Sequence, residues 1–245
     1  MALNNTIVQE YKQTATLTVT SDPFDVAAGD VLVVIANAND QDADANGPVS
    51  TISDNQGPDL GWQTNATTPF IKRDDAESNV GFVAAWWAPV TGTITGLTVT
   101  VTMSGVEAAN GTAIKIHKFN GDVSTSDPIG GSAEGNLTAD DQTSAGFTAE
   151  TAGVGIAAWS DWTATGMPSG ASDLTYTGFD IAGVFSGGSG YKTLTSGASN
   201  TANMESGGTP DGAYIWFEIR EEAGAAFIAA RNTPITQAVH RSNYF

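Results

Sequence analysis

Cysteine is absent from the 245 residues, which excludes disulfides and thiolate chemistry. Basic residues are scarce: nine Lys and Arg stand against 27 Asp and Glu, a formal net charge of −18. A surface this acidic repels phosphate backbones and anionic headgroups, so neither nucleic acid nor a membrane surface is an expected partner. The two histidines, His117 and His240, stand in no metal-ligand spacing such as His-Glu-x-x-His. No run of about 18 apolar residues is available to span a bilayer. The opening Met1-Ala2-Leu3-Asn4-Asn5-Thr6 lacks the basic and apolar regions of a secretion signal. The expectation is synthesis in a cytoplasm and, for an extracellular destination, departure by another route.

What the chain does have is period-two alternation, the mark of β-strands. Leu97-Thr98-Val99-Thr100-Val101-Thr102-Met103 places an apolar residue at every odd position. Val31-Leu32-Val33-Val34-Ile35-Ala36 is apolar throughout, as a central strand covered on both faces would be. Ala15–Thr20, Val80–Trp87, Ala113–Phe119, Val154–Trp159, Thr175–Phe185, Tyr191–Thr195 and Ala213–Glu221 complete the candidate strands. Asn110-Gly111 separates two of them and predicts an antiparallel hairpin, because Asn-Gly adopts positive φ at little cost. Residues 121–146 and 196–212, rich in Ser, Thr, Asp and Gly, read as long surface loops. No internal repeat is visible. These features predict an all-β fold, an antiparallel jelly-roll-like β-sandwich over residues 1–222.

Residues 223–245 differ from the rest. They hold no acid and two of the nine basic residues, so this segment is +2 and the preceding body −20. Phe227, Ile228, Ile235, Tyr244 and Phe245 make it apolar. It is either an assembly arm that packs on a neighbouring copy or a last strand of its own sandwich.

Candidate chemistry is sparse. Gly187-Gly188-Ser189-Gly190-Tyr191 lacks the glycine spacing of a nucleophile elbow, and Gly153-Val154-Gly155 opens a strand rather than a helix, so neither predicts catalysis. His117 alternates with Ile114 and Ile116 as an outward polar position would. Asp42-Ala43-Asp44-Ala45-Asn46-Gly47 matches the first half of a calcium loop. Asp42, Asp44 and Asn46 would supply hard oxygen ligands, but Ser53 stands where the loop's bidentate Glu belongs, and a solvated turn is the alternative. Trp86 and Trp87 are adjacent in a strand and must face opposite sides. Trp87 and Trp162 are therefore candidates for stacking on sugar rings, against the alternative that they seal the core.

The order of strand ends resembles a group of tailed-phage structural proteins of the minor tail and capsid-decoration type. The similarity runs through Asp22–Val34 with its Val26-Ala27-Ala28-Gly29-Asp30 turn, Ile52–Gly57 followed by Trp62, Trp87-Ala88-Pro89-Val90-Thr91-Gly92, Ile114–Gly121, Ala158–Trp162 and Trp216–Ile219. The resemblance implies a non-enzymatic virion protein on the particle's outer surface. It implies partners of two kinds: copies of itself, as a trimer or pentamer, and other virion proteins such as the major capsid protein. It implies no catalytic residues and no cofactor beyond the candidate calcium. A receptor-facing glycan-binding module is the alternative.

Overall fold

The computed structural model describes residues 3–14, 16–40, 49–57, 59–63, 69–73, 80–104, 111–138, 141–162, 173–181, 185–205 and 212–222. The candidate assembly arm, 223–245, lies outside them. The fold is all-β, with every sheet antiparallel. In chain order the first ten strands are β1 (Asn4–Thr14), β2 (Thr18–Thr20), β3 (Phe24–Val26), β4 (Val31–Asp40), β5 (Val49–Asp54), β6 (Ile71–Arg73), β7 (Val80–Pro89), β8 (Ile94–Leu97), β9 (Val99–Ser104) and β10 (Thr112–Asn120). The remainder are β11 (Ile129–Leu137), β12 (Asp141–Thr143), β13 (Phe147–Thr148), β14 (Val154–Asp161), β15 (Thr175–Ile181), β16 (Phe185–Thr193), β17 (Ser199–Asn200), β18 (Asn203–Glu205) and β19 (Gly212–Ile219).

The expected sandwich is present, and it occurs twice. Four layers stack: the short sheets β2-β9-β5 and β3-β8, the sheet β1-β10-β4-β7-β6, the sheet β11-β19-β14-β16-β15, and the pairs β12-β18 and β13-β17. β4 shows how alternation builds this. Leu32, Val34 and Ala36 pack into the first outer core with Val99, Val101 and Trp86. Val31, Val33 and Ile35 point the other way, into a seam shared with Ile156, Ala158, Ile215, Phe217 and Ile219 of the second large sheet. On the far side of that sheet Trp159 and Trp216 fill a third core with Phe147 and Met204.

The two large sheets share one strand order. Numbering only their own strands in chain order, each runs first, fifth, second, fourth, third. The outer pairs repeat as well: β2–β9 and β3–β8 on one side match β12–β18 and β13–β17 on the other, while β5 has no counterpart among the described residues. Val31 pairs with Phe119 where Val154 pairs with Ile219, so β4 is the counterpart of β14 and Asn37 that of Ser160. These two side chains bond reciprocally across the seam. Asn37 Nδ2 donates to the Trp159 carbonyl at 2.9 Å, and Ser160 Oγ donates to the Ala38 carbonyl at 3.1 Å. The two bonds cross the seam in opposite directions but are not exact two-fold mates, since the mate of the Asn37 bond would end on the Ala36 carbonyl rather than that of Ala38.

Three expectations need correction. The Asn110-Gly111 hairpin is not formed: β9 and β10 lie in different layers. Gly111 has φ +81° and is needed for a second reason, since a Cβ there would sit 2.2 Å from the Thr14 carbonyl oxygen. Residues 121–146 are not one long loop but contain β11 and β12, and β13 follows directly. Among the described residues β11 is an edge strand paired with β19 alone, so small and polar residues suffice. Residues 196–212 likewise supply β17 and β18 and the first residue of β19.

Several of the sequence patterns are turn locks. Asp30 Oδ2 accepts from the Ala27 N–H at 2.8 Å, and the Asp30 carbonyl accepts from Val90 N–H at 2.8 Å, which ties the Val26–Asp30 turn to the strand end after Trp87. Asp54 accepts from Gln56 N–H, Leu60 N–H and Trp62 Nε1, at 2.9, 3.0 and 2.9 Å. One carboxylate thereby ties Gln56, Leu60 and Trp62 to the end of β5.

Gly81 brings β7 against β14: a Cβ there would lie 2.1 Å from the Ser160 carbonyl oxygen, a backbone atom with no freedom to rotate away. Gly81→Ala is expected to lower stability by about 1–3 kcal/mol, the usual cost of overpacking. Gly92→Ala, with nothing within 4 Å of the new methyl, is expected to stay within about 0.5 kcal/mol of wild type. Urea midpoints of the two variants check both.

Candidate functional site

Of the candidate residues, Asp42, Asp44, Asn46, Phe227, Ile228, Ile235, Tyr244 and Phe245 lie outside the described residues. Among the described residues no group of three His, Asp or Glu side chains gathers at a metal-sized site. Trp86 is fully buried in the first core, and its neighbour Trp87 faces the seam, half-buried against it. Trp162 is half-buried just beyond β14. The structure does not bring Trp87 and Trp162 together. Trp87 stands opposite Val33, whereas the residues preceding Trp162 adjoin Ala38, about five residues or ~16 Å further along β4.

His117 is not outward-facing. β10 belongs to an inner layer covered on both faces, so the alternate residues Lys115 and His117 are buried in the seam. Lys115 Nζ reaches Glu10 Oε2 at 3.4 Å and lies 5.5 Å from the centre of the Tyr11 ring. Burial pulls the Lys115 ammonium below its usual range, opposed by the Glu10 charge, and burial pushes the Tyr11 phenol up. His117 Nδ1 lies 3.1 Å from Asn5 Oδ1, which assigns the ring proton to Nδ1. Tyr191 meets the imidazole edge-on at 6.2 Å. Burial first, and the Lys115 charge second, push His117 down to about 3. A base this weak is poorly matched to proton transfer at neutral pH.

A concavity among the described residues lies at one end of the seam, beside His117. It is a cleft of about 660 Å³ between the start of β1 and the ends of β14, β15 and β16. Asn4 and Asn5 form one wall, and Asp173, Thr175, Tyr191 and Lys192 the other. Lys192 is held in place: its Nζ donates to Asp173 Oδ2 at 2.5 Å and to the Thr201 carbonyl, and lies 5.6 Å from the Trp216 ring centre. Asp173 Oδ1 accepts from Asn203 N–H at 3.0 Å. The pair is a neutral, preorganised unit rather than a free charge. Sequence reasoning missed Asn5, Asp173 and Lys192, which come from three distant strand ends with no local motif; Tyr191 was legible only as a strand residue.

His117 sets an acid limit. The unfolded imidazole titrates near 6.5 and the folded one near 3, so between these values the unfolded chain binds the extra proton. This part of the stability is present above about pH 6.5 and is lost as pH falls towards 3, by up to about 1.4 kcal/mol per pH unit. Denaturant midpoints measured from pH 7 to pH 4 are expected to fall more steeply for wild type than for His117→Gln. The His117 ring resonances should not titrate above pH 4 in the folded protein.

No family model matches the chain, and no curated protein or solved structure is similar to it.

Proposed function

We propose that the chain is a non-enzymatic structural protein of a tailed virus, carried on the outer surface of the particle as a capsid decoration. The observation that carries the reading is the doubled sandwich itself. In the first unit β1-β10-β4-β7 faces β2-β9-β5, which we read as jelly-roll order, and the second unit repeats the order of its large sheet. Jelly rolls serve repeatedly as capsid and lectin modules. The step from fold to particle is a fold-level analogy, joined to the resemblance in the Val26–Asp30 turn, the Asp54–Trp62 segment and the Trp87–Gly92 strand end. Those patterns are hydrogen-bonded turn locks, the kind of residue a scaffold protein needs.

The function so read is binding without turnover. The buried ionisable groups of the seam, Lys115 and His117, support this: burial disfavours the charged form of both. A body of net charge −20 keeps particles dispersed. The partners are copies of the chain and the major capsid protein, reached through residues 223–245, whose Phe227, Ile228, Ile235, Tyr244 and Phe245 could each contribute about 1.5–3 kcal/mol if fully buried. A repeated lattice multiplies such weak contacts.

Two measurements test this. Light scattering is expected to give a trimer or pentamer for the full chain and a monomer once residues 223–245 are removed. Antibodies against the chain are expected to label intact particles from the lysate in which it is made. A monomer in both forms, with particles left unlabelled, would contradict the proposal.

A further inference from the structure

The two halves of the chain offer the same place twice, at related positions along the seam. Val33 pairs with Trp87 where Ile156 pairs with Tyr191, so Trp87 and Tyr191 are counterparts. Asn5 pairs with Phe119 where Ile129 pairs with Ile219, so Asn5 and Ile129 are counterparts. On one side the place is closed by apolar side chains: Trp87, Ile129 and Phe70 pack on the seam core, and Phe70 meets Phe217 edge-on at 5.0 Å. On the other side Asn5 and Tyr191 stand at the same positions and the place is the open 660 Å³ cleft. Among the described residues, one of these two related positions is open and polar and the other is closed and apolar.

We propose that this cleft binds a hydroxyl-rich ligand, a sugar unit of a glycan. Its volume falls in the range of small-molecule sites. The half-buried Tyr191 ring, steadied by His117, offers an apolar face against which the C–H face of a pyranose can lie. Around it stand the amide of Asn4, hydroxyls of Thr175 and Thr193, and the Asp173 carboxylate, the mixture of donors and acceptors that sugar hydroxyls pair with. The alternatives fit less well. An anion would find a single ammonium, Lys192, already neutralised by Asp173. A metal ion would find one carboxylate, itself engaged by Lys192 and Asn203. The sugar chemistry considered for Trp87 and Trp162 is thereby moved, since neither lines this cleft. The inference stands on the cleft alone and holds or fails independently of the particle-surface reading.

The test uses the full chain with glucose, galactose, mannose and N-acetylglucosamine as probes, inorganic phosphate as the anionic control, and saturation-transfer and backbone-amide NMR as readouts. At least one sugar is expected to bind and to shift the amides of Asn5, Thr175 and Thr193. Thr175→Trp, which fills the cleft from an exposed rim position and removes no packing, should weaken that binding at least tenfold, about 1.4 kcal/mol, with an unchanged circular dichroism spectrum. Trp162→Ala should leave binding intact. The proposal is overturned if no sugar binds, if phosphate binds at these amides more tightly than every sugar, if folded Thr175→Trp binds as wild type does, or if Trp162→Ala abolishes binding.

Discussion

The face-to-face contact of the two five-stranded sheets is the element on which the rest of the molecule depends. The central strands of both large sheets are buried on both faces, between short strands on the outer side and the other half on the inner side, while the edge strands β1, β11 and β15 keep exposed positions. Val31, Val33, Ile35, Ile156, Ile215, Phe217 and Ile219 are all fully buried there. At about 1.5–3 kcal/mol each relative to exposure, their burial is on the order of 10–20 kcal/mol, an upper estimate but comparable to the whole net stability of a domain. Separating the halves would therefore cost about as much as unfolding one. The reciprocal bonds of Asn37 and Ser160 fix the register, and Gly81 allows the backbones to approach.

The same contact creates the molecule's unusual chemistry. A strand in an inner layer has no outward face, so Lys115 and His117 are buried together and burial disfavours the charged form of each. Where the seam opens, between the start of β1 and the end of β16, it leaves a cleft with fixed polar groups. Its one ion pair, Asp173 with Lys192, is internally neutralised, so the recess presents hydroxyl, amide and ring groups rather than a net charge.

Much of the fold was legible in the sequence because alternation reports burial directly. The apolar run at Val31–Ala36 named a strand covered on both faces, and the Leu97–Met103 alternation named a strand covered on one. The opposite facing of Trp86 and Trp87 followed from the pleat alone. The doubling was not legible. Its two copies share positions rather than residues: Val31, Val33 and Ile35 answer to Val154, Ile156 and Ala158, while Asn37 answers to Ser160 and Trp87 to Tyr191. A sheet layer demands only an apolar side chain at alternate positions, so the topology persists where identity does not. His117 was misplaced for a related reason, since a polar residue in an alternating strand looks solvent-facing until a further layer is known to cover it. The cleft was invisible because Asn5, Asp173 and Lys192 meet only through the packing of three strand ends.

The central claim is that the seam makes two sandwiches one cooperative body, and hydrogen exchange read by mass spectrometry tests it most directly. Peptides from β4 and β7 and peptides from β14 and β19 should show the same opening free energy and the same dependence on mild denaturant, because neither half can open alone. If one pair exchanges orders of magnitude faster than the other, through a sub-global opening that leaves the second half protected, the halves are independent domains and the account is wrong.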